Sequence, residues 1–139
     1  MAADQPDSAS RPRGRILIAD HEQGTTIPLK FLLEQSGYTV WTASSGETAL
    51  QLIVDDSPDL VLLEAMISNP DGFEICQTVR ETPQLADTRI LFVSAMARDV
   101  DIAKGMASGA DGYITKPFSN SEIMDHVRKL LEIANGSDE

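Results

Sequence analysis

Four stretches of this chain run from apolar residues into side chains that can bind charge. RILIADHE (15–22) ends in Asp20, His21 and Glu22, and DLVLLEAM (59–66) carries the lone carboxylate of Glu64. RILFVSA (89–95) ends in Ser94 and Ala95, and DGYITKPF (111–118) ends in a Lys116–Pro117 pair. Carboxylates offer the hard oxygens that a divalent cation such as Mg²⁺ prefers. A lysine and a hydroxyl can hold phosphate oxygens. Joined at one place, these groups describe a phosphoryl-transfer pocket, in which metal and lysine offset charge on the phosphoryl group. Scattered, they are polar turn residues without a joint role.

The elements around them decide between these readings. Apolar, β-branched or aromatic runs predict strands over 15–19, 38–43, 59–64, 89–95 and 111–118. The run at 59–64 has no polar alternation before Glu64, as expected of a strand covered on both faces. Helical spacing predicts helices over 25–37, 44–56, 73–81, 98–110 and 119–134. In the first, Ile27, Phe31 and the Leu32–Leu33 pair mark the apolar stripe. Pro28 fits its first turn, and Gly37 ends it. Ser44 with Glu47, and Ser119 with Glu122, have capping-box spacing. Ile123, Val127, Leu130 and Leu131 form the inner stripe of the last helix, whose His126 is expected to face solvent. The fourth helix, with Gly105, Gly109 and many small residues, has little propensity. Five strands alternating with five helices imply an α/β fold, a parallel sheet with helices on both faces. Ligands of such sheets sit at the carboxyl ends of the strands, where Asp20, His21, Glu64, Ser94 and Lys116 all fall.

The chain has 139 residues, one domain's worth, with 42% apolar and 24% charged residues. The net charge of −11 argues against direct binding of nucleic acid or an anionic membrane by the domain itself. Residues 1–14 read as a flexible, basic-flanked tail carrying Arg11 and Arg13, 15–134 as the folded domain, and 135–139 as a disordered end. No apolar run reaches the length of a membrane span, and the tail has no signal-peptide core. The single cysteine, Cys76, excludes an internal disulfide, reads as a small core residue and suits the cytoplasm. The phosphate-binding patterns GxGxxG and GxxxxGK[ST] are absent, which weighs against a nucleotide-binding enzyme. Flavin binding is unpromising too, because Tyr38 and Trp41 belong to a strand rather than to a strand-end loop.

From Arg15 to about Ala134 the chain resembles the receiver domain of two-component response regulators. ILIADHE, PDLVLLEAM…DG, ILFVSA and GADGYITKPF carry the likeness, with no insertion or deletion between them. The resemblance implies a flavodoxin-like (βα)5 fold, a doubly wound five-stranded sheet in the order 2-1-3-4-5. It implies a signalling module rather than an enzyme, one that relays phosphorylation state from a histidine kinase in a phosphorelay. By this resemblance Asp20 opens the acidic pair that holds Mg²⁺, and Met66 offers the metal its backbone carbonyl. Ser94 is the switch hydroxyl, Tyr113 the aromatic that follows it, and Lys116 the partner of the acceptor carboxylate or phosphoryl group. Pro117 follows a cis peptide, a geometry that X–Pro bonds adopt at little cost.

Two positions depart from the family pattern. His21 stands where the second acidic metal ligand is expected, and Glu64 where the phospho-accepting aspartate is expected. Imidazole removes a charge and hard oxygens, so Mg²⁺ at Asp20, His21, Glu64 and Met66 is expected to bind weakly. Glutamate carries its carboxylate roughly 1.5 Å further out, a costly shift for in-line attack. The longer carboxylate can instead reach Lys116, an internal ion pair where the metal would have been. Several readings stay open: Glu64 as a built-in mimic of the phosphorylated state, a fixed scaffold, a weak but working phospho-acceptor, or a transition-metal site at Asp20, His21 and Glu64. The leading expectation is a degenerate pseudo-receiver. Its partners, a histidine kinase or a downstream effector, would meet the face formed by roughly Asp99 to Ile133, with a homodimer as the other arrangement left open. A working receiver is the alternative, and a ligand- or nucleotide-binding flavodoxin-like domain is the reading from another class.

Overall fold

The computed structural model describes residues 14–134, so the expected tail and the 135–139 end lie outside the described residues, Gly14 apart. In chain order the elements are β1 (Arg15–Ala19), α1 (Gln23–Gln35), β2 (Thr39–Ala43), α2 (Gly46–Asp56), β3 (Leu60–Leu63) and α3 (Gly72–Arg80). A short 3₁₀ turn (Pro83–Leu85) leads to β4 (Arg89–Ser94), α4 (Asp99–Ala107), β5 (Gly112–Thr115) and α5 (Asn120–Ala134). The five strands form one parallel sheet in the order β2-β1-β3-β4-β5.

The two-residue period of the strands divides the apolar residues between two cores. Ile16, Ile18, Leu60, Leu62, Leu91, Val93 and Ile114 point to one face, where α1 and α5 cover them with Leu29, Leu33, Ile123, Val127 and Leu131. Leu17, Val61, Leu63, Ile90 and Phe92 point to the other, beneath Ala49 and Ile53 of α2 and Ile75, Cys76 and Val79 of α3. All four residues of β3 are buried, which is why that strand shows no alternation. Each fully buried aliphatic side chain contributes about 1.5–3 kcal/mol, so the central strands anchor the edge that carries the polar groups.

Three local expectations need correction. Helix α1 begins at Gln23, two residues before its predicted start, so Pro28 lies inside the helix beyond its first turn. Ile27 and Phe31 are each 63% exposed, and the buried stripe is the expected Leu33 together with Leu29, which was not in the expected set. The cap of α2 is Ser45, whose Oγ accepts the Thr48 N–H at 3.2 Å, rather than Ser44. At α5, Ser119 Oγ accepts the Glu122 N–H at 3.1 Å. Unforeseen was the reciprocal box at α3, where Asp71 and Glu74 each accept the other's backbone N–H. Among the described residues no helix is long and apolar enough to cross a membrane.

Candidate functional site

The site is built from the residues that leave the carboxyl ends of β1, β3, β4 and β5. Asp20 continues β1: its N–H donates to Ala43 O at 2.9 Å, so its side chain starts from a fixed point. Asp20 Oδ1 then accepts the Glu22 N–H at 2.9 Å, an Asx-type turn that folds the chain back over Asp20. Glu64 continues β3, its N–H held by Ala19 O at 2.9 Å. Helix α3 starts hard against it, because a Cβ on Gly72 would stand 2.7 Å from Glu64 O and 2.8 Å from Ala65 Cα. Only a glycine allows that approach.

Lys116 sits at the centre. Its Nζ lies 2.8 Å from Asp20 Oδ2, 2.9 Å from Glu22 Oε1 and 2.9 Å from Glu64 Oε1. The ammonium has three N–H donors, and each meets a carboxylate. Asp20 and Glu64 are buried, and the Lys116 side chain is 12% exposed. Burial works against the charge on Lys116, but the bonds to Asp20, Glu64 and Glu22 outweigh it and hold the ammonium well above the ordinary lysine range. The same contact, first as a hydrogen bond and then as charge, lowers Glu22 below the usual glutamate value. Three carboxylates around one ammonium leave the cluster with a surplus of negative charge.

Glu64 uses its second oxygen as well. Oε2 accepts the Met66 N–H at 3.1 Å and the hydroxyl of Ser94, which is fully buried. Ser94 Oγ accepts the Met96 N–H at 3.1 Å, and Met96 O accepts the hydroxyl of Tyr113 at 2.6 Å. A hydrogen-bonded chain thus runs from Glu64 through Ser94 and the backbone of Met96 to Tyr113 on β5. The Tyr113 ring lies against Phe92 with centroids 5.5 Å apart, and burial pushes its phenol up. The Lys116–Pro117 peptide is cis, as is Asn69–Pro70, which the sequence did not flag.

The structure thus brings together Asp20, Glu64, Ser94, Lys116 and, one hydrogen bond further, Tyr113. It does not bring in His21, expected as a metal ligand. That ring is 52% exposed, and its Nδ1 is 3.9 Å from Asp20 Oδ1. Glu22, named at the end of the first strand but left out of the expected metal set, takes the third place: Asp20, Glu22 and Glu64 each offer an oxygen within 4.8 Å of the others. The Asx-type turn that returns Glu22 to the site is closed by its backbone N–H, so the spacing of the two acids does not by itself signal it. Met66 enters the cluster through its amide. These three carboxylates match the hard-oxygen set of a divalent cation such as Mg²⁺, and they would hold it. When bound, such a cation supplies positive charge against an incoming phosphoryl group.

The sequence pattern of the response regulator receiver domain matches residues 16–128. The chain is 39% identical over 128 residues to the alkaline phosphatase synthesis transcriptional regulatory protein PhoP of Bacillus subtilis, covering 90% of this chain and 52% of PhoP. It is 38% identical over 117 residues to the DNA-binding dual master transcriptional regulator RpaA of Synechocystis, covering 84% of this chain and 48% of RpaA. The chain therefore spans about half the length of the curated relatives it matches. Among solved structures, a putative response regulator from Chloroflexus aurantiacus superimposes with a TM-score of 0.80 at 30% identity, covering 87% of this chain and 98% of that one. The BeF3-activated DrrB receiver domain does so with a TM-score of 0.76 at 28% identity, covering 84% and 96%. The strand order, the groups at the strand ends and these likenesses agree, and the chain belongs to the family of response regulator receiver domains of two-component signalling.

Proposed function

We propose that this receiver works as a degenerate one, with Glu64 standing in for a phosphorylated acceptor. One observation carries the reading: the Glu64 carboxylate engages Lys116 through one oxygen and Ser94 with the Met66 amide through the other. A phosphoryl group at this place would ask for the same cationic and hydrogen-bond donors. Their donors are engaged by Glu64 already, and Tyr113 is turned inward at the end of the same chain of bonds. The domain then signals through its surface rather than by ordinary phosphorylation of an aspartate.

The surface for this is the face of α4, β5 and α5, roughly Asp99 to Ile133. Val100 and Met106 of α4 are 62% and 44% exposed there, and apolar side chains of this kind suit a protein partner. The partner class is a histidine kinase or a downstream effector in the cytoplasm. The net charge of −11 weighs against nucleic acid as a direct ligand of this domain. PhoP and RpaA are named as transcriptional regulators, so an output on transcription by a longer protein that carries this domain is in keeping with the reading.

A second reading, a receiver that still accepts a phosphoryl group on Glu64, draws on the retained trio of carboxylates. Intact mass separates the two after incubation with a small-molecule phosphodonor and Mg²⁺, beside the His21→Asp/Glu64→Asp double variant. Labelling of the double variant alone supports the degenerate receiver. Labelling of the unaltered chain overturns it.

A further inference from the structure

Between Lys30 and Arg80 the chain carries eight Asp or Glu residues and no Lys, Arg or His. Helix α2 lies within this stretch, and its charged residues are Glu47, Asp55 and Asp56. Two of them stand in its last turn, at the negative end of the helix dipole, where a cation is the favourable neighbour. Arg15 reaches this end of the helix, but its guanidinium donates to the backbone carbonyls of Asp56 and Ser57. Among the described residues no basic side chain pairs with the carboxylate of Glu47, Asp55 or Asp56. Asp55 Oδ2 accepts only the neutral amide of Gln51, at 2.8 Å.

The same helix leaves apolar surface uncovered. Its buried residues are Gly46, Ala49 and Ile53. Glu47, Leu50, Gln51 and Val54, spaced i, i+3, i+4 and i+7, form a second stripe. With Asn69 and Pro70 they line a groove of about 600 Å³, in which Val54 is 56% exposed. The loop that makes the far wall is tied to the start of α2, because the Gly46 N–H donates to Ser68 O at 2.8 Å. The groove is thus formed before anything enters it, which lowers the cost of binding.

We propose that the groove between α2 and the Asn69–Pro70 loop is a second protein-docking surface, whose occupant is a basic amphipathic helix of a partner protein. Apolar side chains of that helix cover Val54 and Leu50, and its lysines or arginines meet Glu47, Asp55 and Asp56. An extended peptide finds no strand edge here, since α2 uses its backbone groups internally, so recognition runs through side chains, as in helix-in-groove binding. A second copy of this chain does not suit the groove, because two α2 faces bring like charges together. Helices α2 and α3 cover the sheet face opposite α1 and α5, so the groove is separate from α5. The inference goes beyond the reading of Glu64 and does not rest on it.

Nitrogen–proton correlation spectra of the full chain test it, during titration with a synthetic peptide of about 18 residues, long enough to form a helix. The peptide carries Leu on one face and Lys on the other. It is expected to shift the amides of 47–55 and Asn69. A peptide with Glu in place of Lys, and one with Ser in place of Leu, are expected to leave them unmoved. Val54→Ser, and Glu47→Gln with Asp55→Asn, change exposed side chains only, and each is expected to weaken binding by about fivefold. Shifts centred on the strand-end acids or on α4 and α5, equal binding by the Glu peptide or the Ser peptide, or unchanged affinity in both variants overturns the proposal. Concentration-dependent shifts of the same amides without peptide also overturn it, since they assign the groove to a second copy. Labelling at Glu64 is read separately by mass, so failure here and failure of the degenerate-receiver reading are told apart.

Discussion

Glu64 Oε1 lies 2.9 Å from Lys116 Nζ, and the same ammonium holds Asp20 at 2.8 Å. Two buried carboxylates therefore depend on one partly buried cation. Removing a single member of such a cluster leaves uncompensated charge in a poorly solvated place. Lys116→Met is expected to lower the unfolding free energy by about 3–5 kcal/mol. Adding Glu64→Gln to Lys116→Met removes part of the stranded charge and is expected to restore part of the loss. Denaturant unfolding at neutral pH measures both. A Lys116→Met variant as stable as the parent would show that solvent or an ion, and not the ammonium, balances these acids.

Tyr113 faces a glycine. A Cβ on Gly105 would stand 2.9 Å from its Cδ2 and 3.1 Å from Phe92 Cδ2, so α4 approaches β5 this closely only without a side chain. Gly105→Ala must push the Tyr113 ring outward or lift α4, with a strain of about 1–3 kcal/mol. The inward ring donates to Met96 O, and burial holds its phenol above the ordinary 10.0. Displacement lets that value fall back toward 10.0. Ultraviolet titration of the two tyrosines, with Tyr113→Phe isolating Tyr38, reads the change. A phenol that titrates alike in Gly105→Ala and the parent would mean that α4, not the ring, had moved.

The parallel sheet with a covered central strand and the site's position were legible because both follow from strong patterns, whereas the strand order came only from the likeness to receiver domains. An unbroken apolar β3 can only lie in the middle of a covered sheet, and the polar groups fall just after the strands. Glu22 was harder to read. Its return to the site depends on a hydrogen bond from its own N–H to Asp20, and residue spacing alone does not distinguish it from a solvent-facing acid. His21 and Glu22 are neighbours, and which of them points inward is a property of the turn. The cap of α2 posed the same problem on a smaller scale: two adjacent serines, of which Ser45 and not Ser44 holds the Thr48 N–H.

Helix α1 shows how one residue misdirected a stripe. Pro28 suggested a helix start near residue 25, and Ile27 and Phe31 then fell on an apolar line. The helix starts at Gln23 and buries the expected Leu33 with Leu29 in place of Ile27 and Phe31. Leu33→Ala is expected to cost about 2–5 kcal/mol, because Leu33 is fully buried against the sheet. Phe31→Ala is expected to change stability by about 0.5 kcal/mol or less, because the ring is largely in solvent. Chemical denaturation of the two variants checks the pair. A large loss with Phe31→Ala would place the ring in the core after all.

The start of α4 carries a charge clamp whose acid sensitivity can be worked out. The Arg98 guanidinium donates to both Asp101 oxygens, at 3.0 and 2.9 Å, and the Arg98 N–H donates to Oδ2 at 3.1 Å. These bonds, with charge from Arg98 and Lys104, hold Asp101 below the ordinary aspartate value of 3.8 despite burial. A carboxylate lowered in the folded state stabilises it above the unfolded value, and the contribution is lost as pH falls through the folded one. The clamp is therefore complete from neutral pH down to about 3.8 and is released below it. Proton and carbon chemical shifts of Asp101 through an acid titration, with amide exchange at Asp101 and Ile102, follow the release. Asp101→Asn cannot pair with the guanidinium as a charge, so it is expected to show faster exchange at the start of α4 at neutral pH and no further acid step there. An Asp101 that titrates at or above 3.8 would show that the clamp contributes nothing to holding the helix that opens the proposed partner face.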